Sequence, residues 1–243
     1  MRANKKRPDL PKYTSPEQCP HPRLGQCPYC PNEECRDKVR YQELLESSGL
    51  KGIELTYTFG KAIIDPHNRN LYQKLMKWDH KKDKSLYIHG GKSKGNPQGN
   101  GTGKSYGLKC LTHRLCKEGT ACIFIRATDL MNEIKASYGD DSKESEVAVI
   151  SSFINIPVLL IDDLGKKRVK SDWDSEKILY ILEHREAMGR KTLTTSNFTL
   201  DEMEVRFDCE GRPPNFGPAI ASRIGSDNWE IWALGGPDRR LKR

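Results

Sequence analysis

The sequence predicts an α/β fold, a parallel sheet flanked by helices and carrying a phosphate-binding loop. Three observations predict it. Gly101-Thr102-Gly103-Lys104-Ser105 lies between an apolar, strand-like run and a helix-like one. From about Leu50 onward short apolar runs alternate with helical stretches, the pattern of strand–helix units whose strands run parallel. One of those runs, Val158-Leu159-Leu160-Ile161, is apolar at every position, as a strand covered on both faces requires, and it ends in Asp162-Asp163.

The first forty residues stand apart. Cys19, Cys27, Cys30 and Cys35 fall within seventeen residues, in a segment rich in proline and poor in apolar side chains. Such a segment buries too little surface to fold unaided. Cys19-Pro-His21 followed by Cys27-Pro-Tyr-Cys30 and Cys35 contains the short C-x-x-C knuckle that tetrahedral zinc favours. Cys19, His21, Cys27, Cys30 and Cys35 are five candidates for four places, and Cys27 and Cys30 belong to every choice. Bound metal would explain how the segment folds. We therefore expect a small zinc-binding module over residues 1–40, a helical linker over 41–52 and the α/β domain over 53–243.

The elements follow in order. Arg36 to Glu46 reads as a polar helix closed by Ser47-Ser48-Gly49, and Leu86 to His89 as a strand entering a glycine-rich loop. Ser105 to Leu115 reads as a helix and Ala121 to Ile125 as the second strand. Thr128 or Asp129 is the expected cap of the next helix, with Leu130, Met131 and Ile134 on one face. Trp173 to Arg185 reads as a helix with Ile178, Leu179, Ile181 and Leu182 at core spacing, and Thr192 to Thr195 as a further short strand. No internal repeat is visible.

Phosphate binding needs backbone amides turned inward, a cation and a helix N-terminus. Gly101, Thr102 and Gly103 supply the amides, Lys104 is placed to reach the β- and γ-phosphates of ATP, and the Ser105 hydroxyl to ligate Mg²⁺. Asp162 ends a strand expected to neighbour the loop and would support Mg²⁺, and Asp163 would polarise the attacking water. One departure is visible. The pattern G-x-x-x-x-G-K-[ST] wants glycine where this chain has Gln98; Gly99 is one residue closer, and the stretch from Gly90 to Gly99 is long. The first turn of the loop is therefore expected to be unusual.

Composition bounds the partners. With 41 Lys+Arg against 33 Asp+Glu the formal charge is +8, concentrated at Arg2–Arg7, Lys74–Lys94 and Arg239–Arg243. These clusters read either as solvated surface or as contacts to nucleic acid. No apolar run approaches the ~18 residues of a membrane span, and the basic N-terminus lacks the apolar core of a secretory signal. A cytoplasmic protein with no membrane partner is expected.

The order Gly-Thr-Gly-Lys-Ser, IDDLG at 161–165, LYILEHR at 179–185, TTSN at 194–197 and ASRI at 221–224 resembles the DnaC/DnaI helicase-loader branch of the AAA+ ATPases, the IstB/DnaC-like family. The resemblance runs from about Ser48 to Arg240. It implies an AAA+ fold without a full helical lid, and ATP hydrolysis that is slow and stimulated by DNA or self-assembly. Asn197 matches the sensor-1 position, and Arg223 the arginine finger that completes a neighbouring subunit's site, which implies self-association through the ATP site. Arg240, in a GPDRR tail, matches a sensor-2-like contact or belongs to a solvated basic tail. Lys135, Tyr138, Ser171 and Trp173 match single-stranded DNA contacts, with half-buried packing the alternative for Tyr138 and Trp173. A zinc-bearing N-terminal module favours Cys19 and His21 beside Cys27 and Cys30, and implies docking to the hexameric replicative DNA helicase. The transposition ATPase IstB, which acts on duplex DNA, shares the same core. A zinc-finger protein that binds DNA under nucleotide control with little catalysis is the remaining alternative.

Overall fold

A computed structural model describes residues 33–93, 95–138, 145–166, 172–208 and 216–241. Five strands, β1 (Ser85–Gly90), β2 (Cys122–Arg126), β3 (Val158–Asp162), β4 (Lys191–Ser196) and β5 (Trp229–Leu234), form one sheet in the order β2-β3-β4-β1-β5. Every pairing is parallel. The helices are α1 (Glu33–Ser47), α2 (Arg69–Lys77), α3 (Lys104–Lys117), α4 (Ala127–Ala136), α5 (Glu146–Asn155), α6 (Asp172–Ala187), α7 (Leu200–Phe207) and α8 (Phe216–Ile224). After β5 only a short 3-10 turn, Arg239–Leu241, follows among the described residues, and no helical lid.

Strand alternation feeds two cores. Leu86 and Ile88 of β1, Val158 and Leu160 of β3 and Leu193 of β4 pack beneath α2 and α3 with Leu71, Leu75, Leu108 and Leu111. Tyr87, Leu159 and Ile161 point to the opposite layer, against Leu130, Phe153, Ile178, Ile181 and Leu182 of α4, α5 and α6. A period of two with both faces covered is why β3 is apolar at each position. Each fully buried aliphatic side chain contributes roughly 1.5–3 kcal/mol. The same alternation decides the site: Asp162 continues the Val158–Leu160 face and Thr195 the Leu193 face, so both look toward α3.

Two expectations need correction. β4 lies between β1 and β3, so the aspartate strand does not neighbour the loop strand, and the residues after β4 enter the site instead. α4 starts directly from β2 at Ala127, with Arg126 as an extended N-cap residue, so neither Thr128 nor Asp129 caps it. There is no room between strand and helix for a separate capping residue. Within the basic stretch 74–94, Lys74 pairs with Asp83 and Glu230, Lys82 with Asp79 and Lys92 with Glu202.

α1 runs through position 40, the expected end of the N-terminal module, and packs on α3, where the Tyr41 hydroxyl lies 2.9 Å from His113 Nε2. β5 and α5 carried no expectation. No helix among the described residues is long and apolar enough to cross a membrane.

Candidate nucleotide-binding site

The loop between β1 and α3 is made by glycines. Gly99, Gly101 and Gly103 adopt φ of 60°, 61° and 98°, a left-handed conformation that side chains resist. Gly99 performs the role that Gln98 cannot. A Cβ on Gly99 would lie 2.7 Å from Gly90 Cα, so the chain returns against the end of β1 and the long excursion closes on itself. Ser93 and Asn96 bridge within it. Gly103 is the N-cap position of α3, and the helix begins at Lys104 with its free amides facing the loop.

Lys104 is 5% exposed. Its ammonium donates to Gly99 O at 2.8 Å and to Thr102 Oγ1 at 3.4 Å. Burial pushes its pKa down to about 8, against the opposing pull of Asp163 and Asp162, and the nearby Arg240 lowers it further. The Ser105 hydroxyl hydrogen-bonds Asp162. Asp162 is buried at the end of β3 and also accepts from Thr195 Oγ1 at 2.5 Å. Burial lifts its carboxyl above the ordinary range, and the two hydroxyl hydrogen bonds only partly offset this. A buried carboxylate with a serine hydroxyl beside it offers oxygen ligands that suit Mg²⁺, and the lysine close by suits the phosphate.

Asp163 is the only non-glycine described residue in the left-handed region, at φ 57°. Strain of this kind is stored where a side chain must be aimed. Its amide donates to Thr195 Oγ1 at 3.1 Å, and its carboxylate accepts from the exposed Lys166 at 2.8 Å. Thr195 therefore ties both aspartates to β4, a role our sequence reading missed. The available signal was a hydroxyl in a fully buried strand, since buried polar groups are there to be bonded.

Lys104, Ser105, Asp163 and Asn197 line one open cleft of about 630 Å³ with Asn100, Gly101, Thr102, Gly103, Lys109, Arg239 and Arg240. That volume suits a nucleotide-sized ligand. Of the paired tail arginines, Arg240 is exposed at the cleft, whereas Arg239 is drawn into the protein by Asp65. Arg223 is absent from the cleft of its own chain. On α8, its Nη1 and Nη2 donate to Glu186 and Glu183 of α6, each at 2.9 Å.

Lys135, Tyr138 and Trp173 do come together. Trp173 Nε1 donates to the Tyr138 hydroxyl at 3.0 Å with the rings edge to face, and Lys135 lies 5.1 Å over the Trp173 ring while pairing with Asp174. Tyr138 is 52% exposed and Trp173 half-buried against the core. Ser171, Cys19, His21, Cys27 and Cys30 lie outside the described residues, as does the Cys35 side chain at the start of α1. Among the described residues no group of His, Cys, Asp and Glu gathers as a metal site.

A pH dependence follows from Lys104. A bound triphosphate favours the ammonium and raises its pKa again. Below about pH 8 the lysine is charged in both states and affinity is flat. Above it, each binding event takes up a proton, so affinity falls as pH rises. Calorimetry near pH 9 in buffers of different ionisation heat should register that uptake. Identical heats would overturn the assignment.

The parallel order with β4 between the loop strand and the aspartate strand, together with the glycine loop, buried lysine and Ser105–Asp162 pair, defines a P-loop nucleotide-binding domain of the AAA+ type. The sequence profile of the IstB-like ATP binding protein family matches residues 96–224, and the chain belongs to that family. It is 25% identical over 185 residues to the replicative helicase loader DnaI of Bacillus subtilis (strain 168), a match covering 73% of this chain and 56% of that protein. It is 22% identical over 170 residues to the replicative helicase loader DnaC of Buchnera aphidicola subsp. Baizongia pistaciae, covering 69% and 66%. The chain thus spans less than two thirds of the length of either relative. The crystal structure of DnaI superposes with a TM-score of 0.61 at 21% identity, covering 82% of this chain and all of that one, which bears on the fold.

Proposed function

We propose that this protein is an ATPase of DNA replication initiation that loads a replicative DNA helicase. The observation that carries the ATPase reading is the meeting of Lys104, Ser105, Asp163 and Asn197 at one cleft, from the ends of three different strands, with Asp162 buried beside Ser105. The helicase reading draws on the relatives, both of which bear the name of replicative helicase loader.

In this reading the amides of Gly101 to Ser105 cradle the β-phosphate and Lys104 reaches between the β- and γ-phosphates. Ser105 and Asp162 would hold Mg²⁺, which when bound would supply positive charge beside the phosphate oxygens. Asp163 accepts the proton of the attacking water, Asn197 orients that water, and Arg240 approaches the phosphates from the cleft rim. Arg223 completes the site of a second copy, where a guanidinium stabilises the transition state. To do so it must leave Glu183 and Glu186. Lys135, Tyr138, Ser171 and Trp173 contact single-stranded DNA by neutralising phosphate and offering a stacking face. Residues 1–40 form a zinc module, with ligands drawn from Cys19, His21, Cys27, Cys30 and Cys35, that docks on the hexameric helicase; residues 41–52 link it to the ATPase domain at 53–243.

Co-purification tests this reading. The full chain should elute with a replicative helicase and carry zinc, while a chain lacking residues 1–32, which leaves α1 whole on α3, should lose the helicase and keep ATP turnover. Helicase retained equally by the shortened chain would defeat the docking assignment. In the same assay Arg223→Ala should bind ATP normally but lose the part of its turnover that rises with protein concentration. The family match supports a second reading, a transposition ATPase acting on duplex DNA. Turnover stimulated by duplex but not by single-stranded DNA would select it.

A further inference from the structure

Four consecutive carbonyls of the phosphate loop are held from outside. Asn96 Nδ2 donates to Asn100 O at 2.7 Å, the Arg239 amide to Gly101 O at 3.0 Å, Arg239 Nη1 to Thr102 O, and the Tyr72 hydroxyl to Gly103 O at 3.0 Å. The N–H and C=O of a trans peptide point to opposite sides. Pinning these carbonyls outward therefore turns the amides that follow them inward, as a nest for an anion.

The donors come from three places: the excursion between β1 and the loop, α2, and the segment after β5. That last segment fits closely. Asn96 and Ser93 both donate to Gly236 O, and a Cβ on Gly101 would lie 1.6 Å from Asp238 Oδ1. Arg239 is the joint. Its Nη2 pairs with Asp65 at 2.6 Å, and its side chain is 11% exposed. Asp65 is aimed by the amides of His67 at 2.9 Å and Asn68 at 3.3 Å. Burial acts against the Asp65 charge, yet the Arg239 guanidinium and those amides hold its carboxyl below the usual range, so the pair stays ionised. With Nη1 on Thr102 and Nη2 on Asp65, Arg239 is directed at the protein, while its neighbour Arg240 remains exposed at the cleft.

We propose that Arg239 and Asp65 are positioning residues that preset the phosphate loop, and that Arg239 makes no contact with the γ-phosphate. This rests on the reading that the cleft binds ATP. Presetting removes ordering that binding would otherwise have to bring about. The inward amides surround the β-phosphate, which ADP and ATP share, so loss of the clasp weakens both nucleotides by the same factor. A γ-phosphate contact, by contrast, would be felt by ATP alone.

The test is titration of the full chain with fluorescent analogues of ATP and ADP, alongside thermal melting, for wild type, Arg239→Ala, Arg239→Lys, Asp65→Asn and Lys104→Ala. Arg239→Ala should weaken ATP and ADP alike by roughly tenfold or more, the scale of losing a hydrogen bond made by a charged group. Asp65→Asn should act in the same direction by a smaller factor, and Arg239→Lys should recover part of the loss. Weakening confined to ATP would overturn the proposal, as would wild-type affinities in Asp65→Asn with only the melting temperature lowered. Wild-type protein that binds neither analogue, like Lys104→Ala, would instead defeat the ATP-binding reading.

Discussion

Replacing Lys104 with alanine should abolish ATP turnover while leaving the fold intact. The ammonium is buried within the phosphate loop, close enough to Asp163 and Asp162 for both to act on its charge. Removing one group that stabilises charge only in the transition state costs about 10²–10³ in rate, and Lys104 also binds the ground-state phosphates. Stability should move the other way. Lys104 has a pKa of about 8 in the fold and about 10.4 in an unfolded chain. Between those values the unfolded chain binds more protons, so wild-type stability rises with pH there; below about 8 the lysine is charged in both states and its burial is a constant cost. The alanine variant should lack that rise and be at least as stable as wild type at neutral pH without nucleotide. Turnover and denaturant midpoints across the alkaline range measure both effects. Normal turnover would remove the ATPase assignment, and an alanine variant less stable than wild type would mean the Gly99 contact outweighs burial.

Arg185→Met should be strongly destabilising. Arg185 is fully buried on α6 and all its hydrogen-bond acceptors are neutral: Thr192 Oγ1, and the carbonyls of Phe153, Ile154, Ile156 and Lys191. Three of those carbonyls end α5, where unpaired C=O groups and the helix dipole favour a cation. Burial, with Arg190 nearby, pulls the guanidinium down to about 9, still charged at neutral pH. Methionine would fill the space but leave the carbonyls buried and unbonded. The expected loss is about 3–5 kcal/mol, a fall in Tm on the order of 10 °C. Lysine should recover only part, since one ammonium cannot replace the fork that reaches α5 and β4 together. A loss below about 1 kcal/mol in chemical denaturation would mean that water or rearranged carbonyls replace the fork.

Much of the site was legible because its parts are short and contiguous. Gly101 to Ser105 and the apolar run ending in Asp162-Asp163 declare their chemistry through residue type and spacing alone. The core positions of α6 were equally plain, with Ile178, Ile181 and Leu182 all buried. α5 was not. Its EVAVISSFIN is rich in β-branched residues, which do not favour helix, and packing against α4 and α6 overrides that preference. β5 escaped because it is an edge strand, half exposed at Glu230, Ile231 and Ala233, without the continuous apolar run of β3.

By itself, then, the sequence determined the phosphate loop, the aspartate pair and the class of fold, since each is written in local patterns that persist whatever surrounds them. Tertiary structure alone decided that β4 enters between β1 and β3, which makes Thr195 the link between Asp162 and Asp163. It also decided between Arg239 and Arg240, adjacent and chemically identical, by bringing one of them to Asp65 across 174 positions of chain. Contacts between residues so far apart depend on the packing of every element between them, and no local pattern encodes that.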